Sequence, residues 1–337
     1  MLADRDHAAF RERIERCRTF ALVTHVNPDG DALGSEIGLA DYLRARGREV
    51  VIVNHDPVPE SLAFLDFGGT ELRTYDAGRD DAVLAAVDRI VLLDNSAPDR
   101  LGALEGPLRR WADRVTCIDH HPTRGTPWAE SLLDVGASAT ALLIHELLRE
   151  AGYRPGRGAA EALYVGIATD TGFFRFNSTS PRVLRTAAEL LELGVDAASC
   201  YREIYERNSP SFTRLLGLAL AGLQLDADGR VVSVRITPEM VASAGANGAD
   251  VSEMSTPLLA IDGVRIAVLF RELPDGRVKV SLRSKGQLDV HRLALGFGGG
   301  GHRNASGIVT EGTLEAVARR VLHEAVALAR SGEGASQ

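Results

Sequence analysis

Short apolar, β-branched runs alternate with segments of helical periodicity through the first half of the chain. In the helical segments apolar residues recur every three or four positions, whereas the short runs have the length of strands. This alternation is typical of an α/β domain built on a parallel sheet. The four predicted strands are FALVTH at 20–25, EVVIVN at 49–54, RIVLLD at 89–94 and RVTCID at 114–119.

A helix is predicted between the first two of these strands. Leu33, Ile37, Ala40 and Leu43 follow helical spacing, and Gly47 then supplies a C-terminal stop. The same kind of pattern predicts two further helices, at about 137–151 and 157–168.

The pattern divides the chain into two domains joined by helices. We place the first domain at 1–190, a helical connector at 191–224 and a smaller α/β domain at 225–331. In the smaller domain, two alternating runs flank Asp275-Gly276, which indicates a β-hairpin. The other predicted elements are a strand at 230–236, the hairpin strands at 264–270 and 277–283, a helix at about 313–329 and a disordered tail at 332–337.

Composition limits where the protein works and what it binds. A chain of 337 residues exceeds one ordinary core, which favours two unequal domains. No apolar run approaches the roughly 20 residues that span a bilayer, and the charged N-terminus has no leader pattern, so we expect a cytoplasmic protein without membrane contact. The formal net charge of −8 disfavours tracking along a long polyanion such as duplex nucleic acid. A phosphate-bearing substrate should therefore be short and met by a local cluster of Arg, Lys and His.

The three cysteines, Cys17, Cys117 and Cys200, lie far apart in the chain. Because no C-x-x-C pair is present, we expect neither a disulfide framework nor a zinc knuckle. They are predicted to be buried small hydrophobic residues.

Candidate metal ligands follow the first strand within one short segment. THVNPDGDALG brings His25, Asp29 and Asp31 together before a helix. In an open α/β sheet, ligands gather outside the carboxyl ends of the strands. Two other interpretations stay open for this segment alone, because Asp31 could be a helix N-cap and the acidic turn could be a solvated loop.

Acids and histidines at the ends of later apolar segments favour the metal hypothesis. VLLD ends in Asp94, and CID ends in Asp119, which His120 and His121 follow directly; GIATDTG places Asp170 after another apolar stretch. Unpaired carboxylates at the edge of an apolar core are costly, and a shared cation holds several of them together. The residues therefore predict a metal site with oxygen and nitrogen ligands. A thiolate-rich zinc site is disfavoured because Cys117 is the single cysteine in these motifs.

A glycine-rich segment near the C-terminus predicts a second group of functional residues. Residues 296–301 fit G-x-G-x-x-G but open no helix of a βαβ unit, so we reject a dinucleotide fingerprint. Glycines here would let backbone N–H groups approach a phosphate beside cationic side chains. The predicted substrate-binding residues are Arg283, Lys285, Gly299, Gly300, Gly301, His302, Arg303 and Asn304, with Arg175 of TGFFRFNST as a further candidate.

The motifs THVNPDGDALG, VLLDNS, CIDHHPT and ATDTG resemble the four motifs of the DHH phosphoesterase superfamily, in the same order and at similar separations. GFGGGGHRNASG resembles the signature loop of the associated DHHA1 domain. The resemblance spans about residues 20 to 310 and is nearest to the nanoRNase / pAp-phosphatase type. It implies a parallel-sheet DHH domain with helices on both faces, a smaller α/β DHHA1 domain, and an active site in the cleft between them.

The resemblance also implies two metal ions, with Asp94 bridging the pair. Carboxylate and imidazole ligands suit Mn²⁺, the metal that the family implies, with Mg²⁺ as a weaker substitute. The implied ligands are His25, Asp29 and Asp94 for one ion, and Asp31, Asp94, His120 and Asp170 for the other.

His121 and Asp119 are catalytic candidates beside Asp94. Two metals about 3.5 to 4 Å apart can generate hydroxide at neutral pH and neutralise charge on the phosphoryl oxygens, so that no covalent enzyme intermediate is needed. We predict that His121 contacts the phosphate or protonates the leaving oxygen, and that Asp119 orients an imidazole. A purely packed, neutral His121 stays an alternative.

The implied function is the hydrolysis of very short oligoribonucleotides and removal of the 3′-phosphate of adenosine 3′,5′-bisphosphate (pAp). A cyclic dinucleotide phosphodiesterase is the alternative, because nothing in the motifs separates the two. A pyrophosphatase, a processive single-strand DNA exonuclease and a non-catalytic nucleotide sensor are disfavoured, the last because every metal-binding position is intact. Related proteins commonly dimerise, so a homodimer stays open.

Overall fold

The computed structural model describes residues 16–65, 72–123, 125–246 and 254–331, together with residues 10, 12 and 251, except for the side chains of Thr256 and His302. Within it the chain divides into two compact units, 1–207 and 208–337. The helices of the predicted connector, 191–224, fall on both sides of this division. The predicted tail, 332–337, lies outside the described residues. Among the helices that are described, none has the length and apolar character needed to cross a bilayer.

The first unit is built on a six-stranded parallel sheet, as the alternating pattern predicts. Its order is β3-β2-β1-β4-β5-β6, so β1, β4 and β5 are neighbours. The strands are β1 Thr19–Val23, β2 Glu49–Asn54, β3 Leu72–Thr74, β4 Arg89–Leu93, β5 Val115–Asp119 and β6 Glu130–Leu133.

Helices cover both faces of this sheet. Along β1, Phe20 and Leu22 belong to one apolar core, whereas Ala21 and Val23 belong to another. Because successive strand residues point to opposite faces, both faces must be buried. The helices are α1 Gly30–Ala45, α2 Ala77–Ala86, α3 Glu105–Arg110, α4 Thr140–Glu150, α5 Arg157–Asp170, α6 Pro181–Glu192 and α7 Ala197–Tyr205, with 3₁₀ turns at Glu60–Leu65, Pro98–Arg100, Gly102–Leu104 and Ala112–Arg114.

Helices α1 and α5 pack through small residues. A Cβ atom on Gly34 would lie 2.3 Å from the Ala162 carbonyl oxygen, and one on Gly38 would lie 2.6 Å from a Leu163 methyl carbon. A third glycine, Gly30, lies one turn earlier on the same face of α1, so that glycines recur at every fourth position. The backbones can therefore approach closely at the end of α5 that carries Asp170.

The second unit contains a mixed sheet of order β11-β12-β10-β9-β8-β7, in which β8 and β9 run parallel and the other pairs antiparallel. The predicted hairpin is confirmed: the Leu273 N–H donates to the Arg277 carbonyl oxygen across the turn, where Gly276 has φ 82°. The elements are β7 Gln224–Asp226, β8 Val231–Ile236, β9 Ile266–Glu272, β10 Val278–Ser284, β11 Gly300–His302 and β12 Ala305–Thr310, with α8 Pro210–Ala221, α9 Pro238–Ala244, α10 Ser255–Leu259, α11 Val290–Leu295 and α12 Leu314–Ser331.

The three cysteines are buried and free, as predicted from their spacing.

Candidate metal centre

The C-terminal ends of three neighbouring strands bring predicted metal ligands and the predicted catalytic residue Asp119 together. His25 lies two residues beyond β1, Asp94 follows β4 directly, and Asp119 is the last residue of β5. Because the strands are parallel and adjacent, these side chains lie at one edge of the sheet, as expected for an open α/β fold.

The first cluster contains His25, Asp29 and Asp94. The Nε2 atom of His25 lies 3.3 Å from an Asp94 carboxylate oxygen and 3.9 Å from an Asp29 carboxylate oxygen. The other ring nitrogen, Nδ1, lies 2.8 Å from the Val26 carbonyl oxygen. A carbonyl oxygen only accepts, so Nδ1 carries the proton and Nε2 is the atom that can ligate a metal.

The second cluster contains Asp31, Asp94, His120 and Asp170. The His120 Nε2 atom lies 3.7 Å from Asp31, 3.4 Å from Asp94 and 3.2 Å from Asp170, measured to carboxylate oxygens. Its Nδ1 atom faces the Ala137 carbonyl oxygen at 3.3 Å. Nε2 is therefore directed at three carboxylates, although it has no hydrogen-bond partner among the described residues.

Asp94 belongs to both clusters and is held rigidly. It is 2% exposed, and its two carboxylate oxygens face different histidines, one of them His25 and the other His120. The Thr140 hydroxyl donates to one of these oxygens at 2.9 Å. The backbone of Asp94 has φ 57°, a left-handed conformation that turns the chain immediately after β4.

Asp31 is completely buried and is anchored by the first turn of α4. The N–H groups of Thr140 and Ala141 donate to its two carboxylate oxygens at 2.6 and 2.7 Å. Helix α4 has no side-chain cap of its own, so Asp31 satisfies the N–H groups that a cap would take. The N-cap of α1 is Asp29 rather than Asp31, because Asp29 accepts from the N–H groups of Asp31 and Ala32.

His121 pairs with Asp119 beside the two clusters. The Asp119 carboxylate accepts from the His121 backbone N–H at 3.1 Å and from its Nδ1 at 2.8 Å. The same Nδ1 lies 3.6 Å from Asp94, and the His121 side chain is 37% exposed. Asp119 therefore fixes the orientation of a solvent-accessible imidazole and leaves its Nε2 atom for another partner.

The ionisable groups are strongly coupled. Burial raises the pKa of Asp31 well above its ordinary value, and the charges of Asp94 and Asp170 raise it further. Burial would raise the pKa of Asp94 as well, but the nearby imidazoles of His120 and His25 lower it below its ordinary value. Burial disfavours the charged form of His120, yet the carboxylates of Asp170 and Asp94, 3.2 and 3.4 Å from its Nε2 atom, raise its pKa to about 12. Without a cation the cluster thus holds protons that a metal ion would displace.

The donor set fits divalent cations. Among the described residues there are three groups of side chains in which each residue offers one ligand atom and these atoms lie within 4.8 Å of one another; two of the groups share Asp94. Oxygen and imidazole nitrogen ligands of this kind bind hard or borderline divalent metals. The groups are His25, Asp29 and Asp94; Asp31, His120 and Asp170; and Asp94, His120 and His121.

The predicted substrate residues of the second unit lie around the ends of β10 and β12. Arg283 pairs in register with Ala305 across these strands, and Lys285 is exposed just beyond β10. Arg303 donates to the Gln287 carbonyl oxygen at 2.9 Å. The structure brings these three cationic residues to one end of the sheet, whereas the His302 side chain lies outside what it describes.

Asn304 and the glycines have internal roles. The Asn304 amide donates to carbonyl oxygens of Ser284, Gly286 and Leu288, so it pins the loop after β10. Gly299 is required by packing, because a Cβ atom there would lie 2.2 Å from the Gly307 carbonyl oxygen. Gly301 is similarly crowded against β12, but a Cβ atom at Gly300 would meet nothing within 4 Å.

Arg175 lies in a left-handed turn just after Asp170. Gly172, Phe173 and Phe174 have φ values of 57°, 53° and 65°, an arrangement that is strained at the two phenylalanines. The Arg175 side chain donates to the Gly172 carbonyl oxygen at 2.8 Å and lies over the ring of Phe176. Its guanidinium is thus tied to the loop that follows a predicted metal ligand.

Sequence reasoning missed Thr140, whose N–H and hydroxyl hold Asp31 and Asp94. Its only sequence signal is its place at the start of an apolar helical pattern, GASATALLI, where a capping residue is ordinary. The contact with Asp31 spans 109 residues and depends on the close packing of α1, α4 and α5.

Comparison with known proteins agrees with the geometry. The model of the DHH family N-terminal domain matches residues 19–167, and the DHHA1 domain model matches 228–330. The chain is 35% identical over 302 residues to a bifunctional oligoribonuclease and PAP phosphatase NrnA from Thermus thermophilus, covering 89% of this chain and 87% of the relative. It is 30% identical over 294 residues to the protein of the same name from Bacillus subtilis, covering 86% and 88%. A crystal structure of an exopolyphosphatase-related protein from Bacteroides fragilis has a TM-score of 0.90 at 29% identity, covering 97% of this chain and 98% of that one.

Proposed function

The chain belongs to the DHH family of phosphoesterases, and we propose that it hydrolyses short oligoribonucleotides to mononucleotides and removes the 3′-phosphate of pAp. The observation that carries this proposal is the sharing of Asp94 between two clusters of metal-ligating side chains. Its support on the substrate side is the pair of relatives that are named as oligoribonuclease and PAP phosphatase.

The proposed cofactor is a pair of Mn²⁺ ions, with Mg²⁺ as a weaker substitute. Imidazole nitrogens stand beside carboxylate oxygens in both clusters, and such mixed ligation suits Mn²⁺ better than an all-oxygen cage would. When bound, the two ions would supply a hydroxide nucleophile and neutralise phosphoryl charge. The residues that would hold them are His25, Asp29, Asp31, Asp94, His120 and Asp170.

The protein's own acid–base group is His121 in this proposal. Its Nδ1 is held by Asp119, so a proton on Nε2 can be delivered to the leaving oxygen of the substrate. The buried Asp119 keeps the ring in one orientation. Asp119→Asn should therefore lower turnover without changing the number of metals bound.

The proposed nucleotide-binding residues are Arg283, Lys285 and the loop 299–304. Gly300 leaves room beside this loop, because a Cβ atom there would meet no described atom within 4 Å. Arg175 is retained as a candidate for contacting the substrate from the loop after Asp170.

The direct test is turnover by the purified chain with each metal. The metal-stripped protein is reconstituted with Mn²⁺ or Mg²⁺ and offered pAp, di- to pentaribonucleotides and cyclic dinucleotides. We expect release of inorganic phosphate from pAp and of mononucleotides from short RNA, fastest with Mn²⁺. Asp94→Asn should bind less metal and lose turnover, while Asp113→Asn on the surface provides the matched control.

Two results would contradict the proposal. Equal turnover by Asp94→Asn and the control would remove Asp94 from the reaction. Turnover confined to cyclic dinucleotides would assign the same metal centre to a different substrate.

A further inference from the structure

Arg182 lies at the start of α6, outside every motif from which the site residues were predicted, and it contacts two buried carboxylates. Its Nε atom and one terminal nitrogen donate to the two carboxylate oxygens of Glu146, and its other terminal nitrogen donates to Asp134 at 3.0 Å. The Arg182 side chain is 20% exposed, and those of Glu146 and Asp134 are 10% and 9% exposed. A planar guanidinium presents its donors in a fixed geometry that suits such a bridge.

The chain between these two carboxylates contains the groups that contact the second cluster. The Ala137 carbonyl oxygen faces the His120 Nδ1 atom at 3.3 Å. Thr140, at the start of α4, donates its N–H to Asp31 at 2.6 Å and its hydroxyl to Asp94 at 2.9 Å. Most ligands of the second cluster therefore contact this one segment, whose two ends Arg182 joins.

Asp134 sets the conformation of the turn that carries the Ala137 carbonyl group. Its carboxylate accepts from the Gly136 N–H at 3.0 Å, and its carbonyl oxygen accepts from the Ala137 N–H at 3.0 Å. Its own N–H donates to the Asp119 carbonyl oxygen at 3.1 Å, which fixes the turn to the end of β5. An aspartate that bonds the backbone two residues further on stabilises a turn of this kind. Since Arg182 binds the other carboxylate oxygen of Asp134, it orients that carboxylate from outside the turn.

We propose that Arg182 is a positioning residue for the metal centre. By binding Asp134 and Glu146 together, it fixes the turn relative to α4, and the turn and α4 then orient the ligands of the second cluster. Groups that orient metal ligands typically change metal affinity about 10- to 100-fold. The inference rests on the metal centre of the proposed function, whereas the contacts of Arg182 themselves involve no metal.

Calorimetric titration of the metal-stripped full chain with Mn²⁺ measures the effect on the two clusters. Arg182→Met should weaken the binding of one ion about tenfold and leave the affinity for the other nearly unchanged, because the first cluster shares only Asp94 with the segment. A general loss of stability would not select one ion of the two. Arg182→Lys keeps a positive charge beside both carboxylates, which protects against unfolding, and should give a smaller loss at the same ion.

Arg79→Met is the matched control. Arg79 also binds a buried carboxylate through two bonds, that of Asp80, but it lies on α2, which packs on the opposite face of the sheet from α4. This variant should lose stability while both Mn²⁺ affinities stay unchanged. Urea unfolding of each variant establishes that it is folded under the conditions of the titration.

A double-mutant cycle tests the route through the turn. If Arg182 acts through Asp134, the variant Arg182→Met/Asp134→Asn should lose no more Mn²⁺ affinity than Arg182→Met alone, because both substitutions break the same contact. Losses that add would contradict this route.

Hydrogen exchange of the metal-free chain tests the inference without the metal. The N–H groups of Thr140 and Ala141, which donate to Asp31, should exchange about tenfold faster in Arg182→Met than in the wild type. The N–H groups of β1 serve as the internal reference, and Arg79→Met should leave the ratio unchanged.

The inference and the proposed function fail separately. Unchanged Mn²⁺ affinities and unchanged exchange in Arg182→Met, or equal changes in Arg79→Met, would overturn the inference even if the wild type released phosphate from pAp. A wild type that neither binds Mn²⁺ nor hydrolyses pAp would overturn the proposed function, and faster exchange at Thr140 in Arg182→Met would still support Arg182 as the residue that positions this segment.

Discussion

Replacing Gly34 by alanine tests the close packing of α1 against α5 beside the predicted metal ligands. The added Cβ atom would lie 2.3 Å from the Ala162 carbonyl oxygen and 3.3 Å from the Gly166 nitrogen. Both atoms are backbone, so no flexible side chain can move aside. Because ordinary contact begins near 3.4 Å, the helices must separate by about 1 Å.

Two opposing effects set the expected stability. Alanine improves intrinsic helix propensity by about 1 kcal/mol relative to glycine. Overpacking a buried contact costs about 1 to 3 kcal/mol. Gly217→Ala in α8 experiences only the first effect, because its Cβ atom would meet nothing within 4 Å. The free energy of unfolding of Gly34→Ala should therefore lie below that of Gly217→Ala by about 1 to 3 kcal/mol.

The same displacement should reach the metal centre. Asp31 lies on α1 and Asp170 ends α5, and both face the Nε2 atom of His120. A shift of about 1 Å in ligand positions should weaken metal binding at least tenfold, a typical loss when the support of ligands is disturbed. Urea unfolding of the metal-free variants and calorimetric titration with Mn²⁺ measure the two effects. If Gly34→Ala is as stable as Gly217→Ala and binds Mn²⁺ normally, the backbone contact between the helices is refuted.

Three further substitutions give expected outcomes. Burial raises the pKa of Glu36 from its ordinary 4.5 to about 8, so the stability that its protonated form contributes is fully present below pH 4.5 and is lost as the pH rises through 8. Between pH 6 and pH 8 the free energy of unfolding of Glu36→Gln should therefore rise by about 2 kcal/mol relative to that of the wild type, measured by urea unfolding without metal. Thr140→Val removes the hydroxyl that donates to Asp94 and should lower Mn²⁺ affinity about 10- to 100-fold by calorimetry, and an unchanged affinity would contradict the supporting role of that hydroxyl. Arg283→Ala should raise KM for pAp while the metal content, measured by elemental analysis, stays unchanged; loss of metal would show that Arg283 supports the metal centre instead.

The central strands were predictable because their sequence carries two signals at once. Each of the segments ending at Asp94 and Asp119 is an apolar run of strand length followed by a charged residue, and both are strand ends in the fold. The edge strands β3 and β6 were not predicted. They have only three and four residues and are mostly half-buried, so neither apolar content nor alternation marks them.

Contacts made by distant residues were not predictable from local pattern. Glu36 is completely buried and accepts from the Asn54 amide at 2.8 Å, yet in the sequence it resembles any acidic residue of a helix. Likewise, Asp29 rather than Asp31 caps α1 because the Asp31 carboxylate accepts from N–H groups at the start of α4. Such roles follow from tertiary packing, which cannot be predicted from the local pattern of a single sequence.

Two requirements restrict which residue can stand at position 94: the left-handed backbone conformation and the need for a short carboxylate side chain. Among residues with a side chain, asparagine and aspartate adopt such a conformation most readily, and glycine does so without cost. The metal ligation that we propose for Asp94 at two clusters would require a carboxylate, which asparagine and glycine lack. Glutamate supplies the carboxylate but has neither the backbone preference nor the short reach. Of the twenty genetically encoded amino acids, aspartate alone meets both requirements, so almost any missense change in this codon should be eliminated by selection wherever the activity is needed.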